Sequence, residues 1–177
     1  CDGWHPQESG LAVSMNRRQF LRGRLRPGAA PLRPPWALPE ADFIAACTRC
    51  DQCLQQCPEG ILAHGSGGFP ELDFQRGGCS FCGACLAACE PGALSGGTAL
   101  SAHAWSHTAA IGAGCLSARG TVCRACGDVC EPRAIRFRLA LGGKAEPVVD
   151  SARCNGCGAC VGVCPVRVVS VSRQEAA

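Results

Sequence analysis

Tyrosine is absent from the 177-residue sequence, methionine occurs once, and there are only three tryptophans and six phenylalanines. So few aromatic side chains exclude a large aromatic core. No run of 18 apolar residues occurs, which excludes a helix that spans a membrane. Acidic residues are missing from positions 16–35, where six arginines fall. No Ser/His/Asp set and no glycine-rich nucleotide loop can be found, so catalytic residues are not expected and the chain reads as a non-enzyme.

What the chain has in excess is cysteine, at 17 residues. The most regular run is Cys154-Asn-Gly-Cys157-Gly-Ala-Cys160-Val-Gly-Val-Cys164-Pro165. Thiolates at this C-x2-C-x2-C-x3-C-P spacing let a tight loop wrap three corners of a cubane iron–sulfur cluster, while the fourth, one helical turn later, ligates a neighbouring cluster. Gly156 and Gly158 leave room for backbone to approach the inorganic sulfides. Three related runs precede it: Cys47, Cys50, Cys53, Cys57; Cys79, Cys82, Cys85, Cys89; and Cys115, Cys123, Cys126, Cys130. Zinc sites pair two C-x2-C knuckles across a longer gap, and a disulfide scaffold needs no such repeated ligand spacing. Four 4Fe–4S clusters are therefore expected, with all sixteen of these cysteines as cofactor-binding metal ligands. Cys1 is left over.

The steps of 32 residues from Cys50 to Cys82 and 31 from Cys126 to Cys157 are those of two tandem two-cluster ferredoxin-like modules. Crosswise pairing then assigns Cys47, Cys50, Cys53 and Cys89 to the first site, and Cys79, Cys82, Cys85 and Cys57 to the second. Cys115, Cys123, Cys126 and Cys164 form the third, and Cys154, Cys157, Cys160 and Cys130 the fourth. Seven residues separate Cys115 from Cys123, an insertion that lengthens the loop without removing a corner. The fold class is α+β: short strands and hairpins around the clusters, with one short helix per motif between the third and fourth cysteines.

Residues 1–14 read as upstream or disordered prefix before a natural start at Met15. Residues 15–40 read as a basic arm and an extended Pro-rich linker, 41–98 as the first module, and 99–177 as a linker and the second module. Arg17-Arg18-Gln-Phe-Leu-Arg22 is similar to a twin-arginine export signal, but three more arginines and four prolines follow in place of an apolar h-region. The segment thus reads as a solvated arm of a cytoplasmic protein, with Arg17, Arg18, Arg22, Arg24, Arg26 and Arg33 able to meet an acidic partner. His103 and His107 read as a solvated loop pair, since no partner ligands are local. Residues 134–141 alternate and return through Pro147–Asp150 as a hairpin, and Val166–Val171 reads as the last strand.

The formal charge of +3 conceals a division, because residues 36–177 carry 11 Lys and Arg against 12 Asp and Glu. Each oxidised cluster with four thiolates adds about −2, so the loaded body is near about −9. A nucleic-acid partner is excluded on that ground.

The segments CTRCDQCLQQCPEGIL, CSFCGACLAACEPGAL, CRACGDVCEPRAIRF and CNGCGACVGVCPV, with R-R-x-F-L-R-G ahead of them, resemble the NapF family of ferredoxin-type proteins from periplasmic nitrate reductase operons. The likeness runs from Met15 to about Val171. It departs in the residues before Met15 and in the wide spacing after Cys115. The resemblance implies a cytoplasmic accessory protein that acts on the precursor of NapA, the catalytic molybdenum subunit, before export. It would assist maturation by assembling or reducing the partner's iron–sulfur cluster. The alternatives are a general polyferredoxin electron carrier, or an electron-transfer subunit of an oxidoreductase complex.

Overall fold

A computed structural model describes residues 31–96 and 105–173. The prefix, Cys1, His103 and the first five arm arginines lie outside the described residues.

Helix α1 (Glu40–Ala46) precedes the first cysteine run. Each run then closes on a single helical turn that begins one residue before its third cysteine. These turns are α2 (Gln52–Gln55), α3 (Ala84–Ala87), α4 (Ala125–Asp128) and α5 (Ala159–Gly162). Strands β1 (Leu62–His64) and β2 (Pro70–Leu72) form the first hairpin. Strands β4 (Ile135–Ala140) and β5 (Lys144–Val149) form the second, from Ile135↔Val149 to Ala140↔Lys144. The hairpin at 134–149 is thus where the alternation puts it, although Leu139 is 92% exposed and the half-buried pattern stops at Phe137.

The outer strands obey a rule that local sequence does not carry. Strand β3 (His107–Ile111) pairs antiparallel with β6 (Val169–Arg173). In the first module the same place is held by the bridge Ala37↔Leu94, reinforced by Leu38 N–H to Ala93 O (3.1 Å) and Ser95 N–H to Trp36 O (2.8 Å). Each module therefore joins its entry segment to its exit segment and encloses one hairpin.

This topology corrects three expectations. Residues 32–39 are not a free linker: Trp36 is buried, and Leu72 donates its N–H to Leu32 O at 2.8 Å. The segment is packed into the first module and carries its entry bridge at Ala37. His107 is not in a solvated loop but sits in β3, half-buried, its ring 4.9 Å edge-on from Trp105, and burial followed by the Arg173 charge lowers its pKa. The last strand starts at Val169 rather than Val166, because Arg167 takes a left-handed conformation (φ 50°) in the turn after Cys164.

Arg33 is the fourth correction. Expected as a solvated arm residue, it is built into the first module. Its Nε and Nη2 hold both Glu40 carboxylate oxygens, at 3.0 and 2.6 Å, and Nη1 donates to Pro70 O at 3.1 Å. The guanidinium stands 5.0 Å from the Phe43 ring centre and 5.5 Å from that of Phe69. A planar fork satisfies these partners together, which an ammonium cannot do.

Two cores result. One lies within the first module: Trp36, Phe43, Leu62, Cys85, Ala93 and Leu94. The other crosses between modules, joining Ile61 and Phe74 to Ala109, Ile135, Val161, Val169 and Val171. Trp105 binds this seam by edge contacts to Phe81 (5.4 Å) and Phe74 (6.3 Å) and by Nε1–H to Asn155 O (2.9 Å). Three of the scarce aromatic residues, Phe74, Phe81 and Trp105, thus serve a joint.

Arg33→Ala should lower the stability of the loaded chain by about 1–3 kcal/mol, at the lower end because Glu40 is partly exposed. Arg33→Lys should recover less than half of the loss. Loss of cluster absorbance during chaotrope titration measures both. Identical curves for Arg33→Ala and the parent would place Arg33 back in the solvated arm.

Candidate iron–sulfur centres

The backbone around the cysteines repeats more finely than the spacing. In three runs the residues flanking the second cysteine are both left-handed: Arg49 and Asp51, Phe81 and Gly83, Gly156 and Gly158. These reversals turn a three-residue spacing into a wrap. The third run has Val122 and Arg124 in those places, and Arg124 has φ −134°. A β-branched valine is strained at positive φ. Here the five-residue insertion takes over, coiling back through Arg119 N–H to Cys115 O and Thr121 N–H to Leu116 O. Cys115 remains buried and faces the rest of its set.

After the fourth cysteine all four runs turn alike. Gly60, Gly92, Arg133 and Arg167 have positive φ and donate N–H to Cys57, Cys89, Cys130 and Cys164 carbonyls at 2.9–3.2 Å. The C-E-P exits therefore make the same stop as C-P. From there the next amides reach sulfur: Leu94 N–H to Cys89 Sγ at 3.3 Å and Ala134 N–H to Cys130 Sγ at 3.2 Å.

Crosswise, not sequential, grouping is what the thiols display. Cys47, Cys50, Cys53 and Cys89 line one small space walled by Phe43, Leu54 and Leu94. Cys115, Cys123, Cys126 and Cys164 line another, walled by Ile111, Leu116, Phe137 and Val169. Burial, then the neighbouring Cys47, Cys89 and Cys50, pushes the Cys53 thiol up to about 11. Cys79 is likewise pushed to about 11 by burial, with Cys57 and Cys82 as charged neighbours. Cys85 goes to about 12 through burial and then Cys79. Cys160 also reaches about 12, through burial and then Cys157 and Cys154. Burial followed by Cys130 and Cys154 raises Cys157. In Cys126 the causes are burial, then Cys115, Cys123 and Cys164.

These surroundings fit a polynuclear core. The thiols of each set stand together, resisting ionisation until a cationic core arrives to hold them as thiolates.

The four sets touch in an order different from that of the sequence. Cys53 of the first set is within charge reach of Cys85 of the second, across the packed turns α2 and α3. Cys157 of the fourth lies against Cys79 of the second, and Cys79 donates its N–H to Cys157 O at 2.7 Å. Cys126 of the third is within charge reach of Cys160 of the fourth, across the packed turns α4 and α5. The array runs first, second, fourth, third. Gly158 and Gly156 make the central junction possible, since a Cβ on Gly158 would run into the Phe74 ring and one on Gly156 would come within 2.6 Å of His107 O. Approach to sulfides is one reason for glycine here; packing across the seam is another, invisible in the motif.

Comparison with known proteins matches the 4Fe-4S dicluster domain to residues 46–93 and again to 121–168. Two dicluster domains bring four 4Fe–4S clusters to one chain. The ferredoxin-type protein NapF of Escherichia coli K12 is 41% identical over 166 residues, covering 94% of this chain and 99% of that protein. NapF of Haemophilus influenzae is 43% identical over 169 residues, covering 90% and 94%. The chain belongs to the NapF family of ferredoxin-type proteins. The methylamine utilization ferredoxin-type protein MauM of Methylobacillus flagellatus is 35% identical over 92% of this chain and 60% of its own length. No solved structure matches.

For this NapF-family chain the groupings predict a specific outcome of double substitution. The parent should hold about sixteen irons and sixteen sulfides. Cys57→Ala with Cys82→Ala should lose no more iron than either alone, about four atoms, whereas Cys57→Ala with Cys50→Ala should lose about eight. The reverse pattern, measured by anaerobic iron and sulfide assay, would restore sequential ligation.

Proposed function

We propose that the chain is a cytoplasmic accessory protein, without chemistry of its own, that serves the NapA precursor of periplasmic nitrate reductase before export. The sixteen cysteines hold its four clusters in the crosswise sets. When bound, the clusters supply one-electron uptake and release. The residues supply continuity: each set lies within charge reach of the next through Cys53–Cys85, Cys79–Cys157 and Cys160–Cys126, the middle pair also joined by a backbone hydrogen bond. That unbroken array is the observation that carries the reading, because assembly or reduction of a partner's cluster requires electrons delivered to one point. Backbone amides on Cys79, Cys89, Cys130 and Cys154 sulfurs set the electrostatics of the array. Among the described residues no helix is long and apolar enough to cross a membrane. The kinship with NapF proteins supports the choice of partner.

A second reading is a general electron carrier. It is favoured by the 35% identity to MauM, whose name belongs to methylamine utilization rather than to nitrate.

Capture experiments distinguish the two. The loaded chain should retain the precursor form of NapA and release the exported form. Deleting residues 16–30, a cut that spares Leu32 and Arg33, should leave iron content unchanged and remove the salt-sensitive part of the binding. Equal retention of both NapA forms, or of neither, would leave the general carrier as the better account.

A further inference from the structure

The two ends of the thiol array differ in charge. Residues 36–96 carry two arginines against seven acids, whereas residues 105–173 carry nine Lys and Arg against four acids. The positive excess is gathered as well as numerous. Arg124, Arg133, Arg136 and Arg153 line an open cleft of about 580 Å³ together with Asp128 and Phe137. All four arginines are exposed, and among the described residues none of them forms an ion pair.

The cleft lies at one end of the array. Phe137 is a wall of the cleft and also of the space enclosed by Cys115, Cys123, Cys126 and Cys164. Arg124 covers its ring at 5.3 Å. Gly127 allows this closure, since a Cβ there would come within 2.8 Å of the Phe137 ring. Along β4, Leu139 shares the face of Ile135 and Phe137 but is 92% exposed, and Leu141 beyond it is 96% exposed.

We propose that this cleft docks an extended acidic segment of a partner protein, with an apolar residue beside its acids, at the third cysteine set. The proposal rests on the electron-delivery reading above and adds the place and chemistry of contact. Guanidinium forks pair with carboxylates two bonds at a time, so several arginines along an open cleft match several acids along a strand. The space is too large for one small anion. A nucleic acid would bring a long polyanion against a loaded body near about −9 and be repelled outside the cleft. The exposed leucines give an acidic peptide an apolar contact that a phosphate backbone cannot use.

The probe is a fluorescent peptide of alternating glutamate and leucine, titrated into the full cluster-loaded chain at low and at moderate salt. A single-stranded oligonucleotide of equal charge serves as the second ligand. Arg136→Gln with Arg153→Gln should weaken peptide binding by about tenfold at low salt. Arg119→Gln with Lys144→Gln, an equal loss of charge outside the cleft, should change it by less than about twofold. Leu139→Ser should weaken the peptide and leave the oligonucleotide unaffected. Equal weakening by the two charge pairs, or tighter binding of the oligonucleotide than of the peptide, would overturn the proposal. Iron content assayed on the same samples separates this from failure of the four-cluster reading, which would show as iron below about sixteen whatever the peptide does.

Discussion

The constraint on which this structure depends is the confinement of sixteen thiols in a small chain. Burial and mutual repulsion hold Cys85 and Cys160 neutral up to about 12. Thiolates can gather there only around a compensating cationic core, so metal binding and folding are one free energy. The rest of the architecture serves that confinement. Left-handed residues beside the second cysteine wrap the loop, one helical turn presents the third, and a tight turn after the fourth aims amides at sulfur.

The second organising feature is the seam. Ferredoxin-like modules placed in tandem need not touch, yet here Phe74, Trp105 and Val161 join them in a shared core. The consequence is continuity: the Cys79 N–H to Cys157 O bond joins the two pairs of sets into one array. It also sends the third set to the far end, beside the arginine cleft. With clusters of about −2 each, the first module is strongly acidic and the second near neutral with its arginines gathered, so the array has two chemically distinct ends.

The parts legible in the sequence are those written locally. Cysteine spacing gave the sets and the four helical turns, and alternation with Gly142-Gly143 gave the second hairpin. Pairings between distant segments left no local mark. His107–Ile111 is a run of small residues whose partner, Val169–Arg173, lies at the other end of the module, so only the fold makes it a strand. Arg33 looked like its neighbours in a basic arm because its site is assembled from Glu40, Phe43, Phe69 and Pro70. The arginines of the cleft are scattered between residues 124 and 153, and only the packing of α4 against β4 gathers them.

Magnetic coupling across the seam is the most direct test of this arrangement. Cys50→Ala with Cys123→Ala weakens the first and third sites and leaves the second and fourth, which are neighbours in space but not in sequence. The reduced variant should give an electron paramagnetic resonance spectrum broadened by spin–spin interaction between the two remaining clusters. Two sharp, independent signals would contradict the array.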